Sequence, residues 1–320
     1  MNKRNYTYDL LRVMCMIWIV CVWHLTDYYH GTKFDEVIHS SKLSIIVYIA
    51  LSAFTFLSGL FLGRYRIQTT SDAISFYKKR FCRVYFLFVI SLLTLYFTAH
   101  PIPGDTYILG VSCLLYSVFG LSMINTPAPS TLWFMEMLLV FYAFTPLFLW
   151  MKAKYKILVN VIVYCCLLLV MYKLRDLYDE RLLQYFPYYL LGLLLGVEKL
   201  NKLLNSNLRI FLPLVFAITL FMNNRELATF FGLGTVLVLI NIKFSQWICE
   251  KEFARKYISI LSTASFAAYL FHRQLYCLFF YVGLPTYLHG ILIFIVSYYV
   301  QIIYNKLNSK LTCKKRNVYR

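Results

Sequence analysis

Charge is scarce in this chain. Only 14% of its 320 residues are Asp, Glu, Lys or Arg, where a soluble domain of this size carries about a quarter. Acidic groups are the rarer sign, 14 against 32 basic ones, which leaves a formal charge of +18. No two of the nine cysteines stand in a C-x-x-C pair, and most fall inside apolar stretches. Neither a zinc site nor a disulfide framework is signalled, and a buried thiol behaves as a small hydrophobe. Heptads, low-complexity tracts and polar linkers are missing too. The basic opening MNKRNYTYDLLRV runs into an apolar stretch to about Tyr29 without a small-residue cleavage site. That pattern reads as an uncleaved first span rather than a signal peptide. Together these absences exclude a soluble enzyme, a disulfide-stapled module and a coiled coil.

What is present is apolar length. Hydrophobic residues make up 60% of the chain, and the mean hydropathy is +0.63. Apolar segments recur at about 10–29, 43–63, 84–100, 107–124, 132–151, 157–172, 182–198, 209–223, 227–242, 258–281 and 286–305. Most are close to the ~20 residues needed to cross ~30 Å of hydrocarbon. The expected fold class is an all-α, polytopic membrane bundle. It forms one domain over 1–305, followed by a short basic cytoplasmic tail over 306–320.

The basic residues cluster in short loops, so the charge speaks for orientation and anionic headgroups rather than nucleic acid. Both MNKR and the C-terminal KLNSKLTCKKRNVYR belong inside by the positive-inside rule, which requires an even number of spans. Eleven segments therefore leave one that does not cross. If 107–124 is that segment, RYRIQTTSDAISFYKKRFCR, KAKYK, EKLNKLLNSNLR and KFSQWICEKEFARKY all fall on the cytoplasmic side. The block 101–131 carries Pro101, Pro103, Pro127 and Pro129, which suits a bent element. Ten spans with a non-spanning fourth segment are expected, with both termini cytoplasmic.

Ionisable side chains inside a bilayer are costly and mark functional candidates. Arg12 and His24 lie in the first span. Arg12 is near its cytoplasmic end and could snorkel to the interface. His24 is deeper and its imidazole is short, which leaves a packing residue or a neutral general base. Arg80 and Arg83, three apart at a cytoplasmic helix start, form either a phosphate grip or a positive-inside anchor, since Arg binds phosphate bidentately. Glu136 follows Trp133 by one helical turn in TLWFMEMLLVFYAFTPLF. It could hydrogen-bond His24, as carboxylates do for catalytic His, or sit exposed at the interface. His272 and Arg273 place two polar groups inside an apolar run.

YDLLRVMCMIWIVCVWH, FTFLSGLFLGR, SFYKKRFCRVY, TLWFMEMLLVFYAFTPLF, FPYYLLGLLLG and SFAAYLFHRQLY follow one another from residue 8 to 276. In this order they resemble the acyltransferase-3 family of integral-membrane O-acyltransferases. The resemblance implies transfer of an acyl group, usually acetyl, from cytoplasmic acetyl-CoA to an extracytoplasmic glycan. It implies His24 as the catalytic group, as a base or as the carrier of the acyl group, with Arg12 beside it; Glu136, where relatives often carry an apolar or aromatic residue, is a catalytic candidate from its position alone. Arg80 and Arg83 would hold the phosphates of acyl-CoA. Tyr142, Trp133, Tyr269 and His272 would line the cavity, and no metal is required. Ser58-Gly59 and the Gly192/Gly196 pair read as close helix packing.

One departure stands out. The family places its basic residue eleven positions before the His, and here Arg12 to His24 is twelve. At ~100° per residue, eleven steps return to nearly the same face and twelve leave the two ~120° apart. Either a π-bulge restores the register, or Arg12 does not share a site with His24.

The partners implied are acyl-CoA, a glycan or lipid-linked saccharide acceptor and membrane lipids, with no nucleic acid. The expected location is the bacterial cytoplasmic (inner) membrane, with capsule, exopolysaccharide or lipopolysaccharide as the glycan. Some relatives append a hydrolase-like soluble domain, and none is expected here. A polytopic glycan transporter or flippase, or an inactive scaffold of the same fold, would share the composition. A transporter would more often show internal repeats, and none is evident.

Overall fold

The computed structural model describes residues 5–25, 41–98, 111–125, 128–129, 131–204 and 243–316. The expected spans at 209–223 and 227–242 lie outside the described residues. The helices are α1 (Tyr6–Ile17), continued by a π-helical turn (Trp18–Trp23), and α2 (Ser41–Leu62). Next come α3 (Thr70–Arg80), a second π-helical turn (Phe81–Tyr85) and α4 (Phe86–Thr98). Then follow α5 (Val111–Val118), α6 (Ser122–Asn125), α7 (Trp133–Lys154), α8 (Ile157–Lys173) and α9 (Glu180–Leu204). The last are α10 (Lys243–Glu250), α11 (Glu252–Tyr281) and α12 (Thr286–Arg316). No strand occurs among the described residues. The molecule is an all-α bundle.

Among the described residues, five helices are long and apolar enough to cross a membrane: Tyr6–Trp23, Ile45–Leu62, Thr70–Thr98, Trp133–Lys154 and Thr286–Ser309. Large side chains face outward along the bundle, among them Leu158 and Leu169 on α8, 67% and 66% exposed. Such a surface suits lipid and would be a liability in water. Within the expected non-crossing segment, α5 has eight residues and α6 four. At 1.5 Å per residue neither approaches ~30 Å. The last helix continues without a break through the expected tail boundary to Arg316.

Local chemistry accounts for the helix starts. Asn5 caps α1 by accepting from the Thr7 amide at 3.0 Å. Asp9 adds a negative charge to the first turn, where the helix dipole favours it. Thr69 and Asp72 form a reciprocal capping box at the start of α3, and Lys78, Lys79 and Arg80 close its last turn.

In lipid, apolar burial gives helices little reason to associate, so close packing and polar contacts decide which pairs form. The tightest crossing is α2 against α9. A Cβ on Gly59 would stand 2.2 Å from the Tyr189 carbonyl oxygen, and one on Gly192 would stand 2.4 Å from that of Phe56. Only glycine allows this approach, as the sequence predicts for both pairs. Gly196 takes φ +61 and ψ 167 inside α9, a conformation that favours glycine. The break removes the helical donor for the Leu193 carbonyl, and Lys152 Nζ supplies one at 2.6 Å while also donating to Gly63 O at 2.8 Å. One ammonium thus ties α7 to α2 and α9 where they meet.

α11 runs through the interior and packs on α1, α4 and α12. Ser91 Oγ donates to Leu270 O at 2.5 Å, and Gln274 Nε2 donates back to Ser91 O at 2.9 Å. Backbone groups of α4 and α11 are therefore paired across the contact.

Candidate active site

The first helix carries Arg12 and His24, and the turn between them is π-helical. The His24 amide donates to Ile19 O, five residues back, at 3.0 Å. A π-turn holds one residue more than an α-turn, so the twelfth step falls where the eleventh would on a uniform α-helix. Both side chains then address α11. Arg12 Nη1 donates to Ser262 Oγ at 3.4 Å, and the His24 ring lies 4.9 Å from that of His272. Ser262 and His272 are ten residues apart on α11, about 15 Å at helical rise, so α1 and α11 run side by side. Of the two alternatives open for Arg12, the structure has the π-bulge.

Arg12 is held by acid and ring together. Asp9 Oδ1 lies 3.5 Å from Nη1 and accepts from Ser262 Oγ at 3.0 Å, and the Phe61 ring stands 5.4 Å from the guanidinium. Asp9 and Ser262 were not singled out from the sequence. An acid three residues before the arginine, one helical turn away, was the available signal.

A cavity of about 1020 Å³ opens beside this cluster. One end is cationic: Arg12, Arg64, Arg66, Arg80, Arg83, Lys152 and Lys199 line it, against the carboxylates of Asp9 and Glu198. The other end is apolar, walled by Ile19, Leu51, Phe54, Phe134 and Leu138, and it reaches Tyr269. The wall stops at Ile19, so His24 lies one π-turn beyond it.

Arg80 and Arg83 both line the cationic end. The Arg80 guanidinium sits among Phe76, Tyr65 and Tyr142 at 5.6, 5.8 and 5.9 Å from their centroids, and donates to Tyr65 Oη at 3.4 Å. Burial pushes the Tyr65 phenol up, but Arg80 and Arg64 beside it outweigh burial and hold it below its usual range. The chain here is also π-helical, Phe81–Tyr85. A π-turn leaves carbonyls without helical donors, and both turns meet this in one way. Tyr304 Oη and Asn308 Nδ2 donate to Cys82 O, and Tyr276 Oη donates to Val20 O at 2.5 Å. Lys152, Tyr65, Arg64 and Arg66 are further members of this end that sequence reasoning did not name. Their basic loops were legible, but their convergence depends on the α2–α9 crossing.

The outer residues are placed differently from expectation. Glu136 is fully buried and accepts from Ser122 Oγ, beside Ser117 and Arg181. It does not bond His24, because α5 and α6 fold over the start of α7 and present serines to it. Trp133 is turned away from the cavity. Arg181, ion-paired with Asp179, stacks on its face at 4.3 Å, and Tyr185 lies 6.0 Å away. Tyr142 and Tyr269 do line the cavity. Tyr269 Oη donates to the carbonyl of Thr131, whose φ is +61, and its ring meets Phe134 edge-on at 5.9 Å. His272 stands behind that wall, fully buried, with Nδ1 2.7 Å from Tyr269 O.

Among the described residues, no three His, Cys, Asp or Glu side chains gather as metal ligands. No curated protein and no solved structure matches this chain. A family model described as an acyltransferase domain matches residues 5–304, nearly the whole length and every element of the cavity. The chain, an integral-membrane helical bundle with a cationic-to-apolar cavity, belongs to the acyltransferase-3 family.

Proposed function

We propose that this acyltransferase moves an acyl group, acetyl by preference, from cytoplasmic acyl-CoA to a hydroxyl of an extracytoplasmic glycan or lipid-linked saccharide. The observation that carries the reading is the polarity of the cavity. Its cationic end suits the nucleotide and phosphates of coenzyme A, with Arg80 and Arg83 as forked donors. Its apolar end suits a pantetheine arm. From Arg12 to His24 the first helix, with its π-turn, rises roughly 16–17 Å, a length an extended pantetheine spans. By the positive-inside rule the cationic end is cytoplasmic, so the reaction runs across the bacterial cytoplasmic membrane.

One π-turn beyond the far end, His24 acts as general base. It takes the proton of the sugar hydroxyl as that oxygen attacks the thioester carbonyl. The C–S bond then breaks, and the coenzyme A thiolate leaves and receives the proton. Arg12, held by Asp9 and Ser262, borders the path of the arm. Glu136, through Ser122, fixes the segment that frames the outer end, and Trp133 with Arg181 braces it. The walls exclude water, which limits hydrolysis of the thioester. The one-residue insertion between Arg12 and His24, which would weigh toward an inactive scaffold, is absorbed by the π-turn.

The test is acyl-CoA-dependent ester formation on glycan by the purified protein in liposomes. Glycan movement without acyl-CoA would favour a flippase, and neither activity would favour a scaffold.

A further inference from the structure

A neutral imidazole that acts as base must hold its N–H on one side so that the lone pair faces the hydroxyl on the other. In serine hydrolases a buried carboxylate holds that N–H. Here Glu136 is committed to Ser122, and a ring that lies against His24 is another imidazole. The rings of His24 and His272 are 4.9 Å apart with their planes 32° from parallel.

The backbone sets the tautomer of His272. Its Nδ1 lies 2.7 Å from Tyr269 O, and a carbonyl only accepts, so Nδ1 carries the hydrogen. Nε2 is then a bare acceptor. It is buried and has no hydrogen-bond partner among the described residues, a costly arrangement unless a donor completes it. The aromatic neighbours that could donate are engaged elsewhere. Tyr269 Oη donates to Thr131 O, and Tyr276 Oη, whose ring is 6.2 Å away and edge-on, donates to Val20 O. A neutral acceptor also suits a buried position better than a carboxylate, whose desolvation is far more costly.

We infer that His272 is a positioning residue for His24, its Nε2 accepting the His24 N–H and so fixing the tautomer that faces the acceptor hydroxyl. The bond tightens when both substrates are bound, as catalytic hydrogen bonds commonly do. The inference rests on the reading of His24 as the base.

The test compares His272→Phe, which keeps a ring and removes the acceptor, with His272→Gln. Gln keeps an acceptor oxygen and an amide donor for Tyr269 O. Both are purified, checked by thermal unfolding and assayed in proteoliposomes with acetyl-CoA and glycan. His272→Phe lowers kcat by about 10- to 100-fold, the usual effect of losing an orienting partner, while the acetyl-CoA KM stays at the native value. His272→Gln recovers most of that loss. A packing role would favour Phe over Gln in this apolar setting, so the order of the two variants decides. If Phe unfolds, His272→Leu takes its place in the comparison. Native kcat in the variant without an acceptor, or Gln no better than that variant at native KM, overturns the inference. His24→Ala in the same assay separates the two claims. If it is inactive while His272→Phe is native, only the role of His272 falls. If His24→Ala keeps native kcat, the reading of His24 falls.

Discussion

Arg12 and His24 stand twelve residues apart on one helix, yet both face α11, Arg12 on Ser262 at 3.4 Å and His24 on His272 at 4.9 Å between centroids. The π-turn from Trp18 to Trp23 makes this possible. It also keeps both side chains toward α11 although the spacing is one residue longer than the family's.

Removing one residue inside that turn, for example Val22, relaxes it to an α-turn and restores the eleven-residue spacing. We expect activity within about tenfold of native, because a π-turn is an α-helix with one residue inserted. Adding a residue at the same place rotates His24 off α11 and abolishes ester formation. Paired deletion and insertion variants, assayed for acetyl transfer, check this.

Arg80 lies at the cationic end and keeps its orientation through three aromatic rings. Arg80→Ala removes a charge-assisted phosphate contact of about 1.5–3 kcal/mol, so the acetyl-CoA KM rises by about 10- to 100-fold. The kcat changes less. Arg80→Lys recovers only part, since an ammonium has neither the fork nor the flat face. Steady-state kinetics with acetyl-CoA varied reads both values.

The α2–α9 crossing depends on backbone contact. A methyl at Gly192 would meet Phe56 O at 2.4 Å and Leu60 N at 2.7 Å, and neither can swing aside. Gly192→Ala therefore destabilises the bundle by about 1–3 kcal/mol, the range for overpacking. Thermal unfolding in detergent shows the loss as a lower Tm. An unchanged Tm means the helices separate at no cost.

The bundle was legible in the sequence because apolar runs near the length of a bilayer admit few other folds. Close packing at Gly59 and Gly192 was legible as a local pattern, and the basic loops were legible too, though not their convergence into one cationic end. Partners across the bundle were not. Glu136 lies one turn from Trp133 and was read either as a partner of His24 or as exposed at the interface, but its partner Ser122 comes from a short helix whose path no periodicity reveals. Trp133 was expected in the cavity wall, and Arg181, 48 positions later, takes its face. The π-turn was legible only as an alternative, because one extra residue can be absorbed or can rotate the helix, and packing against α11 decides between them.

The central claim is that His24 is the base for acyl transfer from the cavity. The measurement is ester formed on glycan by purified His24→Ala and native protein, reconstituted at equal amounts with acetyl-CoA and read by NMR of the product. The account predicts esters with the native protein and a loss of at least ~10²-fold in the variant, the lower range for a general base, with folding and acetyl-CoA binding retained. Native levels of ester from a folded His24→Ala protein would contradict it.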